Sequence, residues 1–581
     1  MMTSWQFWTQ DIAKRLSEVL KTDITPADVV IPPDRKLGDF AFGCFKLAKA
    51  LGKSPADIAK EVASSILLDH SDFVSANAAG PYVNFILREG DAVHRVVREI
   101  EVAGEKFGCS DQKKSQILIE YAQPNTHKEI HVGHLRALIV GQALVNMIAA
   151  DGWDVVPMSY HGDVGAHVAK CLWWIMKNGG LDKLKPEQRN GMYLGKMYTE
   201  ASKQLEEHLE YKDEVSEVQR KLEAHEPELE KLWQETRRWS LSEMAKIFDD
   251  FGVKVKRQYL ESEVVDRGQQ MVDELMTKGV AKESQGALIV DLEDKKLGVF
   301  LIRKSDGTSL YSTKDLALAE LKFKEYPKAE RSMIVVDNRQ SFYFKQLFET
   351  LNMMKIGKPQ EFVGFEYVTL KSGAMSSREG NIVTLESFRD EVVNYATEEV
   401  TKRHASGGEH EWSDGKIEHT AWCIAMAGMK FGMLKQDNDK MFTFDLEQSL
   451  SFDGDTGPYC LYAATRLASI MRKAQSAERK DNPFGEAQLT RGYENVTEKS
   501  LAFILAQFPM RVHQAAEELR PSIVAQWCID AAQSVSAFYH AVPVLESEGE
   551  LKEGRLRLVA AARQALVAGL GLLSIPVPDE M

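Results

Sequence analysis

Residues 120 to 134 read Glu-Tyr-Ala-Gln-Pro-Asn-Thr-His-Lys-Glu-Ile-His-Val-Gly-His, the densest run of chemical groups in the chain. His131 and His134 flank Gly133, and Lys128 stands three residues ahead of the first histidine. Imidazoles can donate to phosphate oxygens, and a glycine lets a flat base or a phosphate approach the backbone. The apolar repeat behind them predicts a helix, whose free N–H groups complete an anion site suited to a triphosphate. Other polar stretches recur downstream. Ser159-Tyr-His-Gly-Asp-Val-Gly165 is a glycine-flanked loop carrying Asp163. Tyr311 and Asp315 lie four residues apart where a helix is predicted to open, so they share a face. Asp337-Asn-Arg-Gln340 follows a strand-like run, and Lys371 to Asn381 is a small, polar, glycine-punctuated loop containing Ala374-Met-Ser-Ser-Arg378.

The elements that must position these groups read as follows. Gln116 to Tyr121 is a predicted strand, with Ile117, Leu118 and Ile119 in an unbroken apolar run. Leu135, Leu138, Ile139, Leu144, Val145 and Ile148 recur at helical spacing until Asp151-Gly152, and Trp153 to Val156 is apolar again. Strand, loop, helix and strand make a βαβ unit, parallel and right-handed, so the histidine loop sits at a carboxyl strand end. Cys171 to about Phe251 is helical and heavily charged, an insertion of mostly solvated helices with Pro227 starting or kinking one of them. Residues 1 to about 105 form a small α/β module. It has an amphipathic helix over Trp5 to Leu20, a loop through Gly38-Asp39-Phe40, and a turn and strand over Ala79 to Phe85. Gly38-Asp39-Phe40 reads equally as turn chemistry with a core phenylalanine or as a binding element. From about Phe444 onward the chain is almost wholly helical, and periodicity alone assigns that part no function.

With 581 residues, two to four domains are expected. A net charge of −14 argues against a generally basic nucleic-acid coat, though a local basic groove remains compatible with it. The six cysteines are scattered without zinc-knuckle spacing, so reduced thiols in a cytoplasmic protein without structural zinc are expected. The start lacks signal-peptide character, and no unbroken run of about 18 apolar residues suggests a membrane span.

Several of these stretches resemble the arginyl-tRNA synthetases, a class I aminoacyl-tRNA synthetase family, nearly end to end. His131-Val-Gly-His134 is similar to the class I HIGH motif. A bare H-x-G-H is common, but Pro124-Asn125, Lys128 and Leu135-Arg136 around it are arginine-family features. Tyr311-x-x-x-Asp315-Leu-Ala, Phe452-Asp-Gly-Asp-Thr-Gly-Pro-Tyr459 with Tyr462 and Arg466, and the ending through Phe538-Tyr-His540 are similarly family-like. Three departures stand out. The second class I motif appears as Ala374-Met-Ser-Ser-Arg378 without its lysines, Ser159 to Gly165 replaces the usual Asn-His and tryptophan pattern, and Tyr343 stands where a histidine is often found. The last departure leaves the contacts to the base at that position open.

The resemblance implies a doubly wound, Rossmann-type parallel-sheet catalytic core over residues 109–445 with a helical insertion at about 170–260. It further implies an N-terminal domain over 1–108 that contacts the tRNA elbow, and an all-α anticodon-binding bundle over 446–581. The implied reaction activates arginine with ATP and passes it to the terminal adenosine of tRNA, with Mg2+ accompanying the triphosphate. Catalysis would fall to Lys128, His131, His134 and Arg378, Lys128 replacing a missing second-motif lysine. ATP would meet His131, Gly133, His134, Met375, Ser376 and Ser377. Arginine would meet Glu120, Asn125, Asp163, Tyr311, Asp315 and Gln340. Asp39, Phe40, Asn84, Phe85, Arg466, Arg472 and Lys473 would touch tRNA, although the last three also read as a solvated helix face. A monomer is expected. Two rival readings remain. A cysteine-type synthetase lacks support because no zinc-ligand cysteines accompany the histidine motif. An inactive RNA-binding paralogue is conceivable from the missing lysines, but the intact histidines and Lys128 oppose it.

Overall fold

Strands Gln116–Glu120 and Asp154–His161 run parallel, joined by helix Leu135–Ala150, with Glu120 opposite Met158. The computed structural model describes residues 2–113, 115–305, 311–371, 383–405, 412–477, 493 and 495–581. Arg257–Leu260 extends the sheet on one side, while Ala329–Asp337 and Gln360–Phe365 extend it on the other, all parallel. The chain therefore reverses its direction of growth between Gln116–Glu120 and Ala329–Asp337. At such a switch point two loops diverge at the carboxyl strand ends and leave a crevice for ligand. Side chains alternate along each strand, so Leu118, Val156 and Met158 join one apolar cluster with helices Tyr311–Glu325 and Ser341–Met354. Ile117 and Ile119 join the cluster on the other face, with helix Leu135–Ala150.

Helix Leu135–Ala150 owes its composition to that position. By length and averaged apolarity, Val132–Ala150 reaches the range of a membrane span, yet 72 % of that window is buried inside the protein. Its Arg136 has no exposed surface, and its guanidinium donates to the carbonyls of Glu366 (2.7 Å), Lys440 (2.6 Å) and Asp437 (3.1 Å). One buried cation thus ties the histidine helix to two distant backbone segments.

Four helices, Ala166–Lys177, Gly191–Glu207, Tyr211–Glu223 and Pro227–Asp250, fill the interval before Arg257–Leu260 and pack around their own core. Pro227 opens the last of them, with Glu226 capping Leu229 N–H. A three-stranded antiparallel sheet (Ala281–Ser284, Ala287–Leu292, Gly298–Arg303) precedes helix Tyr311–Glu325. Much of the tight turn expected after Lys304 lies outside the described residues. At the C-terminal end, helices Gly457–Ala477, Val496–Ala506, Phe508–Glu518, Pro521–Ala541 and Gly549–Leu572 form a bundle.

The N-terminal module is a four-stranded antiparallel sheet with helices, and Gly80 (φ +57°) turns its hairpin between Phe73–Ala79 and Tyr82–Leu87. It docks on the C-terminal bundle through Phe503, whose ring centroid lies 5.6, 6.4 and 5.5 Å from Trp5, Trp8 and Phe40. The Arg35 guanidinium covers the same ring at 3.7 Å. Truncating such a ring leaves a cavity that costs about 3–5 kcal/mol. Phe503→Ala is therefore expected to lower Tm and to speed proteolytic release of the N-terminal module, measured by calorimetry and limited trypsin digestion.

Candidate active site

The histidine loop closes as a small cap. The His131 ring accepts the Gly133 N–H (3.1 Å), and the His134 ring accepts the His131 N–H (3.2 Å). The Gly133 contact at Nδ1 leaves the neutral His131 ring its proton on Nε2, a donor suited to an anionic oxygen, whereas His134 Nδ1 lies within reach of both the N–H and the carbonyl of His131 (3.2 and 3.3 Å), so its tautomer depends on which of the two it engages. The two rings lie 4.0 Å apart. Burial, reinforced by the Lys128 charge, pushes the His131 pKa below the usual imidazole value. Burial first, then His131 and Lys128, push His134 down to about 4. Both rings are thus neutral near pH 7, and the nearby positive charge acting on them is that of Lys128.

Lys128 is held from outside the sheet. Its ammonium sits 5.1 Å over the ring of Tyr198, a residue of the insertion helix Gly191–Glu207, with Lys170 at 4.9 Å on the same ring. A Cβ at Gly195 would lie 2.2 Å from the Glu129 Cγ, so glycine is what lets this helix close on the loop. On the other side, the loop is stitched to the segment just after the second motif. Val132 N–H donates to Val383, Leu385 N–H donates to Ile130, and His131 bridges Thr384. Met375, Ser376, Ser377 and Arg378 themselves lie outside the described residues.

The opposite wall of the crevice is acidic. Glu120 ends its strand on the face shared with Leu118, only 3 % exposed. Its carboxylate receives Lys322 Nζ and the Gln123 amide (2.7 Å). Lys322, 1 % exposed, stands seven residues after Asp315, two turns along the same helix face. Glu261 is likewise buried and paired with Lys314. Asp315 has no cation partner among the described residues; it receives the Tyr343 hydroxyl instead. Burial pushes its carboxyl up to about 7, with help from Glu120 and Glu261 and against the Tyr343 bond and the Lys314 charge. Three carboxyls stand against two ammoniums, and Asp315, titrating at about 7, is the one that a monocationic side chain would hold in its ionised form.

The remaining expected residues separate into three groups. Asn125 is exposed and its Oδ1 lies over Gly162, where a Cβ would approach it to 2.4 Å. Gln340 is exposed at the start of the next helix, and Tyr311 is 64 % exposed at the crevice rim. Asp163 does not reach the crevice. It has no exposed surface, and its carboxylate is taken by Arg237 (3.0 Å), the Ser262 N–H (2.9 Å) and the Ser262 hydroxyl (2.7 Å). Its work is to hold the insertion helix and the Glu261 loop together. Tyr343 stands on the Asp315 side, its hydroxyl donating to that carboxylate. His127 and His161 are fully buried and bonded to Thr126 and Thr236, and to Pro124 and Ser159, as structural histidines are.

The proposed nucleic-acid contacts in the N-terminal module require correction. Phe40 and Phe85 have no exposed surface, Asn84 is 2 % exposed and Asp39 4 %. Asp39 receives the Leu87 N–H (2.8 Å) and pairs with Arg35 and with Lys499 of the C-terminal bundle. These residues fasten two domains together and cannot touch a macromolecule from inside. In the bundle, Arg466 stacks between Tyr462 (4.2 Å) and Tyr539 (4.8 Å), and the exposed Arg472 bonds the Asp579 carbonyl and Glu580. Lys473 is exposed beside them, lining the same groove of about 610 Å3.

Three family models divide the chain between them. Residues 96–446 match the catalytic domain of class I (R) tRNA synthetases, 460–581 the DALR anticodon-binding domain, and 6–87 the arginyl-tRNA synthetase N-terminal domain. The chain belongs to the arginyl-tRNA synthetase family. It is 37 % identical to the arginine–tRNA ligase of Bdellovibrio bacteriovorus over 563 residues, covering 95 % of this chain and 94 % of that one. The ligase of Streptococcus thermophilus is 32 % identical with full coverage of both chains. Among solved structures, the arginyl-tRNA synthetase of Thermus thermophilus superposes over both whole chains with a TM-score of 0.80 at 26 % identity. As an arginyl-tRNA synthetase, the chain uses ATP, in common with class I enzymes. For a member of this family, the pocket holds four polar groups that sequence reasoning passed over: Tyr160, Glu261, Lys314 and Lys322. Their signal is present only as isolated polar residues among apolar ones, and their convergence is a tertiary fact.

Proposed function

We propose that the chain activates arginine with ATP and charges tRNA by a mechanism without a protein nucleophile. The arginine carboxylate attacks the α-phosphorus in line; a C(O)O–P bond forms, the bond to the β-phosphate oxygen breaks, and pyrophosphate leaves. The 2′-hydroxyl of the terminal adenosine then attacks the acyl carbon, and AMP leaves. Positioning and charge stabilisation carry such a step. His131 and His134 offer ring N–H donors to the phosphates, Lys128 supplies the charge, and Gly133 admits the adenine. Arg378, with Met375, Ser376 and Ser377, would close from the second motif. Mg2+ would accompany the triphosphate, bound chiefly by phosphate oxygens. Asp315 takes the guanidinium, Tyr311 covers it from the rim, and Glu120, Asn125 and Gln340 complete the arginine site.

The observation that carries this reading is a partly buried Asp315 carboxylate, raised to a pKa of about 7 and held by the Tyr343 hydroxyl rather than by an ion pair among the described residues, in a fold whose histidine–lysine loop sits at the switch point of the parallel sheet. We assign 1–108 to a tRNA-elbow domain, 109–445 to catalysis with an insertion at about 170–260, and 446–581 to anticodon binding, in a cytoplasmic monomer. On the N-terminal module, the exposed, edge-packed pair Phe45 and Tyr82 (5.4 Å) offers aromatic faces to the tRNA in place of the buried Asp39, Phe40, Asn84 and Phe85. On the bundle, Arg466, Arg472 and Lys473 are the phosphate contacts. The test is arginine-dependent ATP–pyrophosphate exchange with and without tRNA. Exchange with arginine and no other amino acid is expected, and its complete absence in the presence of tRNA would favour an inactive RNA-binding paralogue.

A further inference from the structure

Two of the places where this chain departs from the family pattern, the Ser159–Gly165 stretch and Tyr343, are 178 or more residues apart in sequence. In the fold they meet. Val156, Met158 and Tyr160 alternate onto the sheet face that also carries Leu118 and Glu120, the face covered by helix Tyr311–Glu325. Tyr160 is the last of the three, at the carboxyl end of its strand, and packs in the same cluster as Tyr343. Its hydroxyl is sealed from solvent and has no hydrogen-bond partner among the described residues. Its electrostatic neighbours are Asp315, Glu261, Glu120 and Tyr343. The Tyr343 hydroxyl, by contrast, is spent on Asp315.

An unpaired buried hydroxyl is costly, and one such group beside a carboxylate that no ion pair holds among the described residues marks a site that is complete only with a ligand. The three carboxylates nearby are acceptors, so the missing partner is a donor, and the missing charge is positive. A guanidinium has five donors in a fixed fork, more than Asp315 alone can accept. We propose that the Tyr160 hydroxyl is a specificity-determining contact for the bound arginine, accepting one guanidinium N–H while Asp315 accepts others. Tyr343 fixes the Asp315 rotamer by donating to it. Burial and the surrounding acids raise both phenols well above their ordinary pKa of 10, so neither ionises in the working range. Two neutral phenols thereby stand beside Asp315, whose own carboxyl is the group raised to about 7.

This inference rests on the arginine-activating reading, and the experiment separates the two. Wild-type protein is first shown to charge tRNA with arginine; failure there removes the parent reading. Tyr160→Phe then deletes one oxygen. The arginine KM is expected to rise at least about tenfold with kcat within threefold, a factor of ten being about 1.4 kcal/mol. Inhibition by n-butylguanidine, which has neither amino nor carboxylate group, should weaken by the same factor. Because the ligand-free protein loses only an unpaired group, Tm without arginine should stay level or rise. An arginine KM within twofold of wild type in the folded variant overturns the contact. A KM increase without a matching loss of n-butylguanidine inhibition overturns its assignment to the guanidinium.

Discussion

Asp315→Asn is expected to raise the arginine KM at least about thirtyfold while leaving kcat within tenfold. The amide is close to isosteric and can still accept the Tyr343 hydroxyl, so the pocket keeps its shape. What it loses is the negative charge of a partly buried carboxylate that no ion pair holds among the described residues, the Lys314 charge being the weakest of the influences on it. Removing one partner of a buried, hydrogen-bonded charge pair costs about 2–5 kcal/mol, and 2 kcal/mol already corresponds to roughly thirtyfold. A carboxylate near a helix start could instead serve the helix dipole. That role predicts lower stability with an unchanged KM, so steady-state kinetics and calorimetry together separate the two.

Protonation gives the same variant a second signature. Burial raises the Asp315 pKa from 3.8 to about 7, so the native state holds a proton between those values that the unfolded chain releases. Stability falls with pH wherever the native state binds more protons, so the cost of this group grows from pH 3.8 to about 7 and is complete above. Asp315→Asn removes that cost and should raise the Tm of the ligand-free protein at pH 8. Arginine requires the ionised form. Below pH 7 the wild-type KM should therefore climb by up to about tenfold per unit, whereas the variant profile stays flat.

How much of this was legible depends on how far apart the parts lie in the chain. The histidine loop needs only fifteen consecutive residues, flanked by an apolar strand and an apolar helix, so its anion-binding character and its strand-end position follow from pattern alone. The arginine pocket draws on five elements. Asp315 could be singled out by its motif, but Lys322, Glu261 and Tyr160 are ordinary residues until the sheet and helix meet. Asp39 and Phe40 show the opposite failure. Their motif marks them as significant, yet a motif does not tell which side of a strand faces water. The Phe40–Gly43 strand loses its free face because the helix bearing Phe503 lies against it, and domain docking leaves no local periodicity to read. Asp163 fails for a related reason: a polar residue at a strand end can complete a site or brace it, and only the Arg237 and Ser262 bonds decide.

Lys128→Ala should lower the rate of arginine activation by about 100- to 1000-fold, with the arginine KM within threefold. The magnitude is that of deleting one preorganised group aimed at charge developing in a transition state. The argument for Lys128 is one of elimination within its loop. His131 and His134 are both pushed below the usual imidazole pKa, so they donate hydrogen bonds but contribute no net charge near neutrality. Lys128 is the residue whose charge acts on both rings, and Tyr198 steadies its ammonium from the insertion helix without neutralising it. The departing pyrophosphate gains charge only as the reaction proceeds, so the loss should appear in the rate rather than in arginine affinity. Lys128→Arg should recover only part of the rate, because a planar fork does not reproduce a compact ammonium. Arg378→Ala provides the comparison: the smaller loss is expected there, and an unchanged exchange rate in Lys128→Ala would return the role to the second motif.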